Sequence, residues 1–281
     1  MKKNNVKSIS ELRQDPVSGD WMLLAPLRGK RHKFKRRIKV ELSKNKCPFD
    51  NLAQFGNLPP VLVYRNKDDW FLQVIPNKYP AVGHGECSLI FKNGVYKSRP
   101  GVGFHEIVIL RDHDRYLVQY SVLEIKKILM AYRERYLSLA KDKCVKYISI
   151  FHNHGKEAGS TVPHLHSQIL ALPIVPPDVS HSINGSRRYY HEYKKCIHCE
   201  MLRQEIKDKK RIIYENYLNP CPTQCCSLYF PEFIKSSKIR HLIYLFILRQ
   251  AVKIMIITIT IGIWKFYLNL KQPAALSWAR V

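Results

Sequence analysis

Acidic residues are scarce in this sequence. Its 281 residues carry 22 Asp+Glu against 47 Lys+Arg, a formal net charge of +25. So basic a chain points to a polyanion partner: nucleic acid, a membrane surface or a phosphorylated small molecule. Cysteine is sparse too. Eight cysteines are too few for a disulfide-built scaffold, so Cys-x-x-Cys spacing is expected to mean metal or reduced thiols. After Met1-Lys2-Lys3-Asn4-Asn5 there is no apolar stretch of the roughly 7–15 residues a secretory signal needs, so a cytoplasmic location is expected. No run reaches the roughly 18–20 apolar residues that span a bilayer. Ile243 to Leu268 is interrupted by Arg249, Gln250 and Lys253, and its uncharged core extends only from Ile254 to Trp264. A buried strand or helix is expected there, or a tail that is not native-like. With 46% hydrophobic and 25% charged residues, the chain is neither disordered nor collagen-like. Its length allows one large domain or two of about 100–150 residues.

Apolar runs punctuated by Pro, Gly and Asn predict strands at Trp21–Pro26, Val61–Tyr64, Trp70–Ile75, Ser88–Phe91, Phe104–Leu110, Val145–Phe151 and His164–Leu172. Ser121 followed by Glu124 is a capping-box pattern. Val122, Ile125, Ile128, Leu129 and Tyr132 repeat at helical spacing, predicting a helix from Ser121 to Lys141. Meandering strands followed by one long helix imply an α+β domain. Cys47 lies 17 residues before Tyr64, and Cys196 lies 18 before Tyr214, a weak sign of duplication. A boundary is expected near 175–190, where Pro173, Pro176, Pro177 and Gly185 cluster. The resulting division is a catalytic domain over 1–178, a partial second copy over 179–240 and an atypical hydrophobic tail over 241–281.

The chemistry concentrates between Phe151 and Gln168. On a strand over His164–Leu172, residues two apart share a face, so His164, His166 and Gln168 line up. Leu165 and Ile169 leave the register unsettled. Two imidazoles and an amide are costly to bury without partners, so a metal or an oxyanion is expected against them. Gly155 and Gly159 let the preceding loop turn its N–H groups toward an anion. A histidine nucleophile can attack phosphorus and split one transfer into two steps, with Gln168 holding a non-bridging oxygen. A His-x-His pair can also be a surface strand or an adventitious metal site. The neighbouring Asn, Gly, Ser, Thr and Gln favour the chemical reading. In the basic run Arg28 to Lys39, most residues read as a solvated loop. Arg28 and Arg31 follow directly from a strand and are candidates for a specific anion contact.

The segment resembles the active-site stretch of galactose-1-phosphate uridylyltransferases, within the histidine-triad superfamily. Further segments agree in order: Glu11 to Trp21, Ala25 to Arg31, Cys47-Pro48-Phe49, Pro76 to Ala81 and Gly103 to Ile109. The match is good over roughly 10–175 and loose over 190–216. The resemblance implies two histidine-triad-like halves, each an antiparallel sheet with helices. It implies that His166 is the nucleophile that becomes uridylyl-histidine, and that Gln168 bonds the transferred phosphoryl group. Asn153, Gly159, Ser160 and Thr161 match the phosphate-binding loop. Arg28 and Arg31 match residues near the sugar phosphate, and Asn77 a nucleoside contact. The implied reaction is ping-pong, with UDP-glucose as donor and galactose 1-phosphate as acceptor. The implied metal ligands are Cys47, Asp50, His113 and His164. Asp50 stands where the family has cysteine; zinc accepts carboxylate oxygen, so a weakened zinc site that orients His164 is expected.

Leu165 stands where the family usually has proline or a small residue. Cys196 and Cys199, with Cys221 and Cys225, form either a rival zinc set or thiols opening a helix over Arg188–Ile206; the latter is favoured. After Asn216 the expected second-copy pattern of an apolar strand and a His-containing segment does not follow. Three functions therefore stay in view: uridylyl transfer, adenylyl transfer or phosphorolysis on ADP-glucose, and a non-catalytic nucleotide- or RNA-binding protein. Phe34 is the one aromatic residue within Arg28–Lys39, so nucleic acid is not expected. Neither is a membrane partner; a homodimer stays open.

Overall fold

Strands form where β-branched and aromatic residues cluster, and a long helix forms over the segment of helical spacing. In chain order these are β1 (Glu11–Gln14), β2 (Trp21–Leu24), the single turn α1 (Pro26–Gly29), β3 (Leu62–Arg65), β4 (Trp70–Pro76), β5 (Phe91–Asn93), β6 (Tyr96–Pro100) and β7 (Phe104–Leu110). They are followed by α2 (Val122–Leu139), β8 (Tyr147–His152), β9 (His166–Leu172), α3 (Pro177–Tyr193), α4 (Ile197–Asp208), β10 (Ile257–Thr260) and β11 (Ile263–Phe266). The computed structural model describes residues 10–29, 44–67, 69–87, 90–153, 162–209, 257–260 and 263–266. These fall into two compact units divided between Pro176 and Pro177.

The first unit is built on a five-stranded antiparallel sheet in the order β3-β4-β7-β9-β8. Its middle strands are apolar almost throughout because both faces are covered. Leu72, Val74, Ile75, Val108, Ile109 and Ile169 are fully buried. On one face lies α2, whose buried residues Ile125, Ile128, Ala131, Tyr132, Tyr136 and Leu139 recur at helical spacing. Its start is held by a capping box: Ser121 Oγ accepts from the Glu124 amide at 3.3 Å, and the Glu124 carboxylate accepts from the Ser121 amide at 2.7 Å. Two polar contacts lock the helix to the sheet. Tyr132 Oη lies 2.6 Å from Ser167 Oγ, and Arg135 grips Glu106 with two bonds of 2.9 and 2.6 Å. On the opposite face Cys47 and Phe49 pack against Ile75, Ile107 and Ile109. This face carries the candidate site. At the start of β7 a Cβ on Gly103 would lie 2.1 Å from the Ala171 carbonyl oxygen, so the approach of β7 to β9 requires glycine.

A second antiparallel sheet has the order β2-β1-β6-β5, with Leu12 of β1 fully buried. Neither β1 nor β6 is legible as a strand, because Glu-Leu-Arg-Gln and Tyr-Lys-Ser-Arg-Pro are mostly polar. β5 pairs with β6 around Gly94, whose φ of +58° favours glycine in the turn. In the second unit α3 and α4 are separate helices, which corrects the single helix expected over Arg188–Ile206. The break comes at Lys194, which takes a left-handed φ of 52°. Cys196 occupies the N-cap of α4, and both it and Cys199 are buried; Cys221 and Cys225 lie outside the described residues. Of the stretch Ile243 to Leu268, the described parts are the antiparallel pair β10 and β11.

The structure meets the expectation of an α+β fold with an antiparallel sheet. Cys196 and Cys199, at Cys-x-x-Cys spacing, are free thiols, whereas another pair is bonded. Cys87 and Cys144 form a disulfide with Cα atoms 5.6 Å apart and a sequence separation of 57 residues; no local spacing signals such a pairing. Among the described residues, no helix is long and apolar enough to cross a membrane.

The Arg135–Glu106 pair is mostly buried, with side-chain exposures of 14% and 5%. Arg135→Met would leave the carboxylate buried without its cation. Urea unfolding of that variant should show a loss of about 3 kcal/mol; a loss below about 1 kcal/mol, as for exposed pairs, would show that the clamp is not structural.

Candidate active site

β9 begins at His166, two residues later than its apolar pattern suggests. His164 therefore sits in the turn before the strand, and its ring serves a different purpose from that of His166. His164 Nε2 lies 2.6 Å from the Leu110 carbonyl oxygen. A carbonyl only accepts, so Nε2 carries the proton and the Nδ1 lone pair faces Cys47 Sγ and Asp50 Oδ2, each 3.5 Å away. His113 Nδ1 closes the group with a short contact to Asp50. Cys47, Asp50, His113 and His164 place one ligand atom each within 4.8 Å of one another. These four residues thus form a group able to hold a metal ion.

The electrostatics of the quartet suit a divalent cation. Burial pushes the Cys47 thiol up to about 11, and a bound cation would hold it as the thiolate instead. Burial also opposes the charge on Asp50. Hydrogen bonds from His113 and Cys47, with the electrostatic influence of the His164 and His113 rings, outweigh it and keep the carboxyl below its usual range. Arg111 Nη1 adds a cation 3.7 Å from Asp50 Oδ1. The His164 ring is buried and shifted toward the neutral form, mainly by that burial. Neutral imidazole is the form that ligates metal.

His166 repeats the same device with the opposite nitrogen. Its Nδ1 lies 2.8 Å from the His164 carbonyl oxygen, so Nδ1 donates and Nε2 keeps its lone pair. Burial pushes the ring down to about 4. Phe49 packs against both imidazoles, with ring centroids 5.9 Å from His164 and 5.0 Å from His166. His152 Nδ1 donates to the His166 carbonyl oxygen at 2.7 Å.

Gln168 follows on the same face of β9. Its Oε1 lies 2.9 Å from His105 Nε2, and Asn77 Nδ2 lies 3.1 Å from the same nitrogen. Burial, aided by the positive charge of Arg28, pushes His105 down to about 4. Asn77, His105 and Gln168 thus gather at one end of the face, within reach of the Arg28 charge. Asn153 follows the last residue of β8, one step beyond the pairing of His152 with Ser167, which places it beside His166. Arg31, Gly159, Ser160 and Thr161 lie outside the described residues. Phe49, His105 and His152 were not singled out from the sequence as site residues. His105 carried a detectable signal, a histidine that with Glu106 interrupts an otherwise apolar strand, Phe104–Leu110.

A neutral imidazole with one nitrogen open, amides beside it and a metal-ligand group behind it make a histidine site suited to an electrophile. The chain belongs to the galactose-1-phosphate uridyl transferase family, whose N-terminal domain model matches residues 1–176. It is 35% identical over 197 residues to an ADP-glucose phosphorylase from Arabidopsis thaliana, covering 68% of this chain and 56% of that protein. It is 29% identical over 214 residues to a galactose-1-phosphate uridylyltransferase from Thermotoga maritima, covering 75% of this chain and 62% of that protein. A solved uridylyltransferase structure superposes with a TM-score of 0.54 at 29% identity, over 73% of this chain and 59% of the other. The chain thus spans less than two thirds of the length of these relatives.

His105 and His166 each have a folded pKa of about 4 against 6.5 for the free side chain. Between these values the unfolded chain binds protons that the folded chain refuses, so stability is full above pH 6.5 and falls as pH drops toward 4. Urea unfolding across this interval should show the decline, and His105→Gln should make it shallower. A slope unchanged by that substitution would contradict the assignment of His105 as buried and neutral.

Proposed function

We propose that this chain transfers a nucleotidyl group from a nucleoside diphosphate sugar through a covalent intermediate on His166, with the N-terminal unit, residues 1–178, carrying the chemistry. The observation that carries this reading is the Nδ1–H bond from His166 to the His164 carbonyl, which leaves Nε2 as an aimed, unprotonated nucleophile. In the first step Nε2 attacks the α-phosphorus of UDP-glucose. A P–N bond forms, the bond to the bridging oxygen breaks, and its electron pair leaves with glucose 1-phosphate. The imidazole ring gains positive charge, which the carbonyl on Nδ1–H stabilises. In the second step a phosphate oxygen of galactose 1-phosphate attacks the phosphorus and frees His166, giving the ping-pong order.

Gln168 would donate its amide N–H to a non-bridging oxygen. Asn153, with Gly159, Ser160 and Thr161, would bind the phosphates; Arg28 and Arg31 would meet the sugar phosphate; and Asn77 would meet the nucleoside. Cys47, Asp50, His113 and His164 would hold zinc, whose tetrahedral preference accepts thiolate, carboxylate and imidazole donors. Bound there, the ion would fix the turn that carries the His164 carbonyl. The 35% identity to an ADP-glucose phosphorylase favours a second reading, in which ADP-glucose is the donor and inorganic phosphate the acceptor on the same His166.

Intact-mass spectrometry of the full chain after mixing with UDP-glucose or with ADP-glucose separates the two readings. A uridylyl or an adenylyl adduct should appear, map to His166 and vanish in His166→Gly. An adduct that persists in His166→Gly would contradict the mechanism. Zinc content measured on the same protein should be one ion per quartet and should drop in Cys47→Ala; content unaffected by that substitution would place the metal elsewhere.

A further inference from the structure

Gln168 can present either end of its amide, and only the amino end can donate to a phosphoryl oxygen. The choice is made by His105, which lies buried on β7. The Ala81 amide donates to His105 Nδ1 at 3.0 Å, so Nδ1 is an acceptor and the ring proton must sit on Nε2. That proton meets Gln168 Oε1 at 2.9 Å. A flipped Gln168 would take away the oxygen that accepts the buried His105 Nε2–H, leaving that proton without its acceptor.

We propose that His105 is a positioning residue for nucleotidyl transfer: it fixes the Gln168 side-chain oxygen and so turns the amide N–H bonds toward the phosphoryl group on His166. This inference rests on the transfer reading given above. Residues two apart on a strand are separated by about 6.6–6.8 Å, a span that a phosphoryl group on His166 can bridge to the Gln168 amide. Asn77 joins the same arrangement. Its Nδ2 lies 3.1 Å from His105 Nε2 and cannot donate to a nitrogen that already carries a proton. Its Oδ1 accepts from the Tyr79 amide at 2.9 Å, which holds the amino end inward. His105 Nε2 thus lies between the Asn77 and Gln168 amides. Burial of the ring, aided by the positive charge of Arg28, keeps His105 neutral, the state in which Nδ1 can accept the Ala81 bond.

A double-mutant cycle tests this. His105→Phe keeps a ring but loses the N–H donor, and Gln168→Ala removes the amide. The single-turnover rate of His166 labelling is measured at saturating UDP-glucose and at saturating ADP-glucose, by intact mass. Gln168→Ala should slow labelling about 100-fold and His105→Phe about 10-fold, while the double variant should be no slower than Gln168→Ala alone. His105→Gln, which restores a donor of similar reach, should recover most of the rate. Labelling of His105→Phe at the unsubstituted rate, or equal slowing by His105→Phe in both backgrounds, overturns the inference while leaving the transfer reading intact. An unsubstituted chain labelled by neither sugar overturns the transfer reading and this inference with it. Where His105→Phe does not fold, nitrogen-15 NMR of the His105 ring decides. A proton on Nε2 whose resonance shifts in Gln168→Ala supports the inference; a proton on Nδ1, or a resonance that Gln168→Ala does not move, overturns it.

Discussion

Two backbone carbonyls determine what the histidines of this site can do. Leu110 accepts from His164 Nε2 at 2.6 Å, and His164 accepts from His166 Nδ1 at 2.8 Å. A carbonyl has no proton to give, so each bond places the ring proton and turns the other nitrogen's lone pair outward. His164 faces the cysteine and aspartate with Nδ1, while His166 leaves Nε2 open. Two histidines separated by a single residue are thus assigned different tasks. Both assignments depend on the turn into β9, because the carbonyl that orients His166 belongs to the residue whose own ring joins the metal-ligand group.

The sheet supplies this geometry. β7 pairs antiparallel with β9, with Ile109 opposite His166 and Glu106 opposite Ile169, which brings Leu110 to the turn that holds His164. α2 closes the far face through Tyr132 and Arg135, leaving the near face to Cys47, Phe49 and the imidazoles. Burial on that near face shifts His105 and His166 toward the neutral form. The packing that stabilises the sheet therefore also keeps the His166 ring unprotonated on one nitrogen. Asp50 contributes a carboxylate to the group able to hold a metal, and Arg111, stacked over Trp70 at 5.2 Å, supplies the neighbouring positive charge.

Much of the frame was legible because its signals are local. The apolar run of β7, the capping box at Ser121 and the helical spacing of α2 each carry their own evidence, and the structure returns β7 over the same residues, Phe104–Leu110. β1 and β6 were not legible, since their residues are polar and their pairing is a tertiary choice. Membership of the group able to hold a metal came from family resemblance, because His113 and His164 lie too far from Cys47 and Asp50 in sequence for spacing to join them. His105 escaped notice for a related reason. Its relation to Gln168 arises only when β7 and β9 align, and nothing in either segment alone announces it. His164 was read as part of the strand because a polar–apolar alternation continues through it; the turn is set by its hydrogen bond to Leu110, a partner 54 residues away.

The placement of the ring protons is the central claim, and long-range nitrogen-15 to proton NMR of histidine-labelled full-length chain reads it directly. At neutral pH His166 should be protonated on Nδ1 with an unprotonated Nε2, and His164 protonated on Nε2. A His166 ring protonated on Nε2, or on both nitrogens, would contradict it.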